Sequence, residues 1–209
     1  MSAPNPVALG FRPAKGGSLA VAVALEGQGP RVLLSAFLAT AAEGERLSLE
    51  PYHLAYEMGR GPNGEVPPEA EALVAEGRRR QDALAEQGLA DILRRLGEAG
   101  SRPARAALLV NRAGWITDLL GHALSSPEHP PVIEGLAVRD ALRFAFGRCG
   151  LPAVELDEKS LPEAAAKALE RSPTEIDAWL TGLGATAGKP WRKEHKLACL
   201  AAWLAAAGR

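Results

Sequence analysis

Arg12 has the clearest potential for chemistry in this sequence. It directly follows the apolar run Val7–Phe11, so it is expected at the end of a buried strand, near the functional edge of a sheet. A guanidinium group binds a phosphate or a carboxylate with two parallel hydrogen bonds, which makes Arg12 a candidate anion clamp. The alternative is a structural ion pair, with Glu194 or Glu134 as the partner.

Glu134 is the acidic residue most expected at the crevice of that sheet. It begins a helix that follows Pro130 and Pro131. An acid in the first helical turn is also stabilised by the helix dipole, which explains Glu134 without any function. Both interpretations stay open at this point.

A third candidate surface surrounds Trp191 in the segment GKPWRKEHK. Basic side chains around an exposed aromatic ring are typical of proteins that bind nucleic acid or phosphate. The sequence therefore predicts a possible nucleic-acid surface at Trp191, Arg192 and Lys193. The alternative is that Trp191 packs on the core at a helix entry while the basic side chains are solvated.

The usual motifs for metals and covalent catalysis are missing. Four histidines occur without HxH or HxxxH spacing, whereas a zinc site needs three or four convergent ligands; they are His53, His122, His129 and His195. Cys149 and Cys199 have no CxxC spacing and are expected to be reduced residues of the core. The sequence has neither a P-loop frame nor a GxSxG motif. We therefore predict no catalytic residue and no metal ligand.

Composition restricts the class of protein only loosely. The formal net charge of −1 gives no overall basic signal for nucleic acid, although a local basic face remains possible. The start of the chain has no basic segment followed by an apolar one, and no apolar run reaches the roughly 20 residues that span a bilayer. A cytoplasmic protein without a membrane partner is expected.

The first part of the chain predicts a β-meander. Three apolar runs, Val7–Phe11, Leu19–Leu25 and Val32–Leu38, are separated by the Gly- and Pro-rich turns PAKGG and EGQGP. Such punctuation indicates strands joined by hairpins. The middle run is apolar on both faces, so its strand should be buried on both sides. Residues 60–67 combine Gly, Pro and Asn and predict a mobile loop.

The remainder of the chain alternates helices and strands. An amphipathic pattern predicts helices, and two short apolar runs predict buried strands in a parallel crossover. These elements cover Glu69–Ala99 (helix), Ala106–Val110 (strand), Val132–Gly147 (helix), Ala153–Leu156 (strand), 161–183 (helical) and Lys193–Ala207 (helix). The predicted order is β-β-β-α-β-α-β-α. It gives an α/β fold with a mixed five-stranded sheet, helices on both faces, and one domain over residues 1–209.

This order and three local patterns resemble the ribonuclease H-like superfamily, in particular its RuvC-like branch. The opening LGFRP resembles the first strand and hairpin of that branch. Residues 134–156 resemble its small-residue helix and following strand, and KEHKLACLAAWLAAA resembles its last helix. The chain also resembles RuvC-like proteins of bacteria.

The resemblance implies a nucleic-acid-associated protein whose metal site is degenerate. The RuvC family holds two divalent metals with four carboxylates. In this sequence the corresponding positions fall on Arg12, Asn111, Glu194 and Lys196. The resemblance therefore implies an anion site at Arg12, Asn111 and Lys196, a possible acidic site at Glu134 and Glu194, no cofactor, and DNA or RNA as partner.

Two other functions remain open. The chain could be a non-catalytic interaction module or homodimer that uses its apolar C-terminal helices. It could also be a metal-dependent nuclease with Mg²⁺ or Mn²⁺ held by rearranged ligands. Those ligands would be Glu134, Glu194 and one of Glu155 or Asp157.

Overall fold

The computed structural model describes residues 6–27, 29–111 and 115–208. The strands are β1 (Val7–Ala14), β2 (Gly17–Glu26), β3 (Gly29–Ala39), β4 (Arg105–Val110) and β5 (Ala153–Asp157). The helices are α1 (Arg46–Leu49), α2 (Pro51–Met58), α3 (Pro68–Glu98), α4 (Leu119–Ala123), α5 (Pro130–Arg148), α6 (Leu161–Leu169), α7 (Pro173–Gly182), α8 (Gly184–Ala187) and α9 (Lys193–Ala206).

The strands form one mixed five-stranded sheet in the order β3-β2-β1-β4-β5. The first three strands are antiparallel, whereas β4 pairs parallel to β1 and β5 pairs parallel to β4. Gly16 has a φ of 72° in the tight turn between β1 and β2, a conformation that favours glycine. The sheet, with helices on both faces, confirms the predicted fold class.

Alternate residues of the central strands enter two separate cores. On one face, Ala8 and Val21 pack with the apolar side of α9. On the other, Leu9 and Phe11 pack against α3 and α5. Residues Ala20–Ala24 of β2 are buried throughout, as predicted for a strand covered on both sides.

Helix α9 lies directly on the sheet. Its residues Ala198–Ala206 are buried, and it contacts β1, β2 and β4. Gly10 permits this approach, because a Cβ atom there would overlap the backbone of Ala198. The apolar side of α9 is therefore packed inside the fold. Whether the protein forms a homodimer stays a prediction.

Helix α3 runs without a break across the second face. Gly77 lies inside this helix, where Pro51 and the carbonyl of Leu47 leave no room for a Cβ atom. The glycine thus permits the close packing of α1 and α2 on α3. The predicted helical segment 161–183 is divided into α6 and α7. Glu170 adopts a left-handed conformation at the end of α6, and Ser172 caps α7, as expected of Ser172 or Thr174.

Two sequence expectations concern the exterior of the protein. Within the described ranges, no helix is both long and apolar enough to cross a membrane. The segment 60–67 lies between α2 and α3 and is mostly exposed. Its mobility stays a prediction.

Candidate functional site

The parallel strands β1, β4 and β5 end at the same edge of the sheet. The register pairs Phe11 with Leu108 and Val110 with Asp157, so the residues that follow these positions come together. A cleft of about 620 Å³ opens there. In open α/β sheets, ligands bind in the crevice at the carboxyl ends of the strands. Its walls are formed by Arg12, Pro13, Asn111, Arg139, Asp157, Glu158, Lys159, Pro162, Lys193 and Leu197.

Arg12 lies in this cleft as half of an ion pair. Its Nη2 and Nε atoms lie 3.0 and 3.3 Å from Oε1 of Glu158. Both side chains are partly exposed, at 25% and 33%. Arg12 thus lies at the end of its strand, as predicted, but its partner is Glu158 rather than Glu194 or Glu134. Glu158 follows β5 directly and reaches Arg12 only because β5 and β1 end together.

Arg139 is one of three charged residues of the cleft that the sequence did not reveal; the others are Glu158 and Lys159. It projects from α5, and its Nη1 donates a 2.6 Å hydrogen bond to Oδ1 of Asn111. Its Nε is buried and has no hydrogen-bond partner in the described part of the chain. Burial, together with repulsion from Arg143, lowers the pKa of Arg139, although a guanidinium remains protonated near neutral pH. The sequence feature that could have indicated Arg139 is the presence of a basic residue within the mostly apolar stretch Leu136–Leu142.

The charges along the described cleft are predominantly positive. Four cationic side chains face two acidic ones. One of the acids, Asp157, accepts a 2.9 Å hydrogen bond from the backbone of Ser160, and the other, Glu158, is paired with Arg12. The cations are Arg12, Arg139, Lys159 and Lys193. This excess favours an anionic ligand, because the low-dielectric walls of a cleft concentrate the field of its charges.

The structure does not bring Lys196 into this cleft. Its Nζ lies 2.7 Å from Oγ1 of Thr181 and 3.2 Å from Oδ1 of Asp177, in a neighbouring apolar groove. Lys196 therefore does not join Arg12 and Asn111. Lys193, one helical turn earlier, occupies the position in the cleft that was expected of Lys196.

Of the surface predicted around Trp191, only Lys193 faces the cleft. Trp191 is half-buried against the core, and its Nε1 donates a 2.7 Å hydrogen bond to the carbonyl of Leu180. This packing corresponds to the structural alternative for Trp191. Arg192 is exposed at the start of α9 and does not line the cleft.

Glu134 lies in a different place from the one predicted. It is in the second turn of α5 rather than the first, so the dipole of its own helix does not explain it. Its Oε1 instead accepts hydrogen bonds of 2.7 and 3.0 Å from the backbone N–H groups of Tyr52 and His53. Glu134 therefore caps the N-terminus of α2, and the expectation that it sits at the sheet crevice is wrong.

The rearranged metal ligands proposed from the sequence do not converge. Glu134 caps α2, and Glu155 is bound at 2.6 Å by Arg143. Glu194, in the first turn of α9, does not line the cleft with Asp157. Within the described ranges, no group of three or more His, Cys, Asp or Glu side chains could hold a metal ion.

The histidines have structural surroundings in the described chain. The rings of His122 and His129 stack at 4.0 Å, and Nδ1 of His129 lies 2.9 Å from Oγ of Ser125. His53 Nε2 lies 3.6 Å from Glu57. His195 belongs to the first turn of α9, where its Nδ1 accepts from the backbone of Arg192.

Comparison with solved structures shows full-length likeness to a RuvC protein. Thermus thermophilus RuvC in complex with a Holliday junction substrate shares 15% identity, covers 97% of this chain and 94% of that chain, and gives a TM-score of 0.54. A structure of Thermus thermophilus RuvC also shares 15% identity, with coverages of 96% and 93% and a TM-score of 0.53. No protein-family model matches the sequence, and no curated protein matches it.

This likeness corrects the expectation that the protein uses no cofactor. The RuvC branch works with divalent metals, so its fold points to Mg²⁺ or Mn²⁺. The side chains described in the cleft do not fit a pair of such ions, because hard cations need clustered oxygen ligands. Arg12 and Arg139 line the cleft, and Glu158 is already paired with Arg12.

The architecture rests on two agreeing observations. The strand order β3-β2-β1-β4-β5 combines an antiparallel meander with two parallel crossovers. The likeness to the solved RuvC structures extends over nearly the whole length of both chains. The chain therefore has the ribonuclease H-like fold in its RuvC-like form.

Proposed function

We propose that this protein associates with nucleic acid and holds the phosphate backbone in the cleft at the ends of β1, β4 and β5. The observation that carries the proposal is the excess of cationic side chains in that cleft, where Arg12, Arg139, Lys159 and Lys193 oppose only Asp157 and Glu158. Phosphate contacts by such side chains supply most of the affinity of non-specific nucleic-acid binding. The RuvC structure that contains a Holliday junction supports a branched DNA as the first substrate to test.

Arg139 gives this proposal a specific contact. Its buried Nε lacks a partner in the described chain, while its Nη1 is held by Asn111. A buried donor left unpaired costs about 1–3 kcal/mol. A phosphate oxygen that enters the cleft would accept a charge-assisted hydrogen bond from this guanidinium. The guanidinium is thus positioned before binding, which lowers the entropic cost of the contact.

The proposal also explains what replaces the metal carboxylates of the RuvC branch. At the first-strand position the chain has Arg12, and after the fourth strand it has Asn111, which orients Arg139. In this arrangement fixed guanidinium groups contact the phosphate directly. The site is then degenerate as a two-metal centre and intact as a phosphate site.

Fluorescence anisotropy with a labelled four-way DNA junction tests the proposal. Each phosphate contact to duplex DNA contributes about 0.9 to the slope of log K against log salt concentration. The double variant Lys159→Gln, Lys193→Gln should therefore bind more weakly and reduce that slope by about 1.8. These two lysines are exposed, so the substitutions leave the core unchanged. Wild-type binding is expected in EDTA as well as in Mg²⁺.

Arg102 supplies the matched control. It is exposed and precedes β4, so it lies at the opposite end of the parallel strands from the cleft. Arg102→Gln should bind as wild type does. Equal loss of affinity in Arg102→Gln and the double lysine variant would show non-specific attraction and overturn the proposal. Binding only in Mg²⁺ would contradict direct contact between guanidinium and phosphate.

A homodimer is a second candidate, favoured by apolar exposure near the edge strand β5. Phe144 and Val154 are 41% and 37% exposed, and β5 has a strand neighbour on one side in the described sheet. Sedimentation velocity of wild type and Val154→Lys would test self-association through this edge. A dimer that persists unchanged in Val154→Lys, or a monomeric wild type, would reject it.

A further inference from the structure

A second polar pocket lies between the β1–β2 hairpin and the starts of α2 and α5. It has a volume of about 300 Å³ and shares none of its walls with the cleft. Its described walls are Lys15, Gly16, Glu50, His53, Pro131, Glu134 and Gly135. None of these residues takes part in the function proposed above.

One carboxylate oxygen of Glu134 explains how α2 begins. Glu50 at the N-cap position makes no capping hydrogen bond with its side chain. The first N–H groups of a helix need acceptors from outside the helix. Oε1 of Glu134, from the neighbouring helix α5, accepts from the N–H groups of Tyr52 and His53. This oxygen is therefore fully employed in the fold.

The other oxygen of Glu134 has no such role. Oε2 is buried and has no hydrogen-bond partner in the described part of the chain. The residue as a whole is only 7% exposed, yet it lines the pocket. Burial raises the pKa of Glu134 to about 7 despite its two backbone hydrogen bonds. A charge without a compensating partner is costly in such surroundings.

The neighbouring cation does not compensate this carboxylate. Nζ of Lys15 lies 3.2 Å from Oε2 of Glu50, and Arg46 binds the other oxygen of Glu50 at 2.6 Å. The walls then carry the carboxylates of Glu50 and Glu134 against the single ammonium of Lys15. Within the described residues, no cation is paired with Glu134, and no N–H group donates to its Oε2.

We propose that this pocket binds a small organic cation that carries N–H donors, of the guanidinium or alkylammonium class, with Oε2 of Glu134 as its acceptor. Such a ligand supplies both a hydrogen bond and a positive charge at Oε2. Because Oε1 stays bound to α2, ligand binding leaves the helix cap in place. His53 lies at the rim and follows the same cap, so its backbone reports on occupancy.

Isothermal titration with methylguanidinium chloride at pH 7 tests this site. Glu134 is about half protonated at that pH, and a bound cation favours its charged form. Binding should therefore release up to about half a proton per bound ligand. This release makes the measured binding enthalpy differ between buffers of different ionisation enthalpy. The neutral analogue methylurea should bind at least tenfold more weakly.

Glu134→Gln is the matched variant, because the amide oxygen still caps α2 while an NH₂ group replaces Oε2. It should lose at least tenfold in affinity for methylguanidinium and all proton release. Glu128→Gln, at an exposed site before α5, should behave as wild type. Shifts of the Tyr52 and His53 amide resonances in the wild type give a readout that needs no variant. Absence of wild-type binding, or equal binding by Glu134→Gln, overturns the proposal.

Discussion

Replacing Glu134 with glutamine should remove one specific part of the pH dependence of stability. Folding raises the pKa of this carboxyl group from 4.5 to about 7, mainly through burial. The folded protein therefore binds more protons than the unfolded chain between these pH values. The stability contributed by this group is fully present below pH 4.5 and is lost as the pH rises through 7.

The magnitude follows from the size of the pKa shift. One pKa unit corresponds to about 1.4 kcal/mol. In the unfolded chain Glu134 is already largely ionised at pH 5. The contribution of Glu134 to the free energy of unfolding should therefore fall by about 2–3 kcal/mol between pH 5 and pH 8. Other titrating groups act equally in both proteins. The difference in unfolding free energy between wild type and Glu134→Gln therefore isolates this term.

Urea unfolding at pH 5, 6, 7 and 8 measures that difference. The free energy of unfolding of wild type relative to Glu134→Gln should decline steadily over this range. Glu128→Gln, in an exposed position, should run parallel to wild type. Parallel curves for wild type and Glu134→Gln would refute the reasoning, because they would mean that Glu134 ionises alike in the folded and unfolded chains.

Two further predictions concern the core around α9. Gly10→Ala should lower the free energy of unfolding by about 3 kcal/mol or more, because the added methyl group would overlap the backbone of Ala198. Thermal unfolding measures this loss. An unchanged melting temperature would argue against the tight packing of α9 on β1. Cys199 is buried, and its pKa is raised to about 12. A thiol reagent at pH 8 should therefore label only the partly exposed Cys149 in the native protein, and both cysteines in urea. Rapid labelling of Cys199 in the native protein would contradict its burial.

Much of the fold could be predicted because its signals are local. The turns PAKGG and EGQGP mark the two hairpins, and the apolar runs between them specify strands. The uniform apolar character of Leu19–Leu25 indicated a strand covered on both faces, and Ala20–Ala24 is indeed buried. Hydrophobic periodicity predicted the bounds of α3 and α9 closely, because a long helix produces an apolar pattern that repeats over many residues.

The site was less predictable because its contacts join distant parts of the chain. Arg12 and Glu158 are 146 residues apart, and nothing near either residue indicates the other. Arg139 reaches Asn111 from a separate helix, 28 residues away. The fold places both contacts together through parallel strand pairing. A sequence pattern could locate Arg12 at a strand end, but not its partner.

Helix rotation explains the remaining errors. Lys193 and Lys196 are one turn apart, yet the first faces the cleft and the second binds Asp177 and Thr181. Glu134 similarly turns away from the strand ends and caps α2. Sequence spacing gives the relative positions of side chains on a helix, whereas the rotation of the helix against the sheet depends on packing of the whole core.

Direct contact between the guanidinium groups of the cleft and the phosphate backbone can be measured at the arginine side chains themselves. Arginine Nε–H resonances, followed by ¹H–¹⁵N spectroscopy while a four-way DNA junction is added, observe these groups directly. The Arg139 Nε–H resonance should shift, since the guanidinium gains an anionic neighbour, while the resonance of Arg102 at the opposite edge should not. If the junction binds without shifting the Arg139 resonance, the nucleic acid lies elsewhere on the protein and the proposed contact is contradicted.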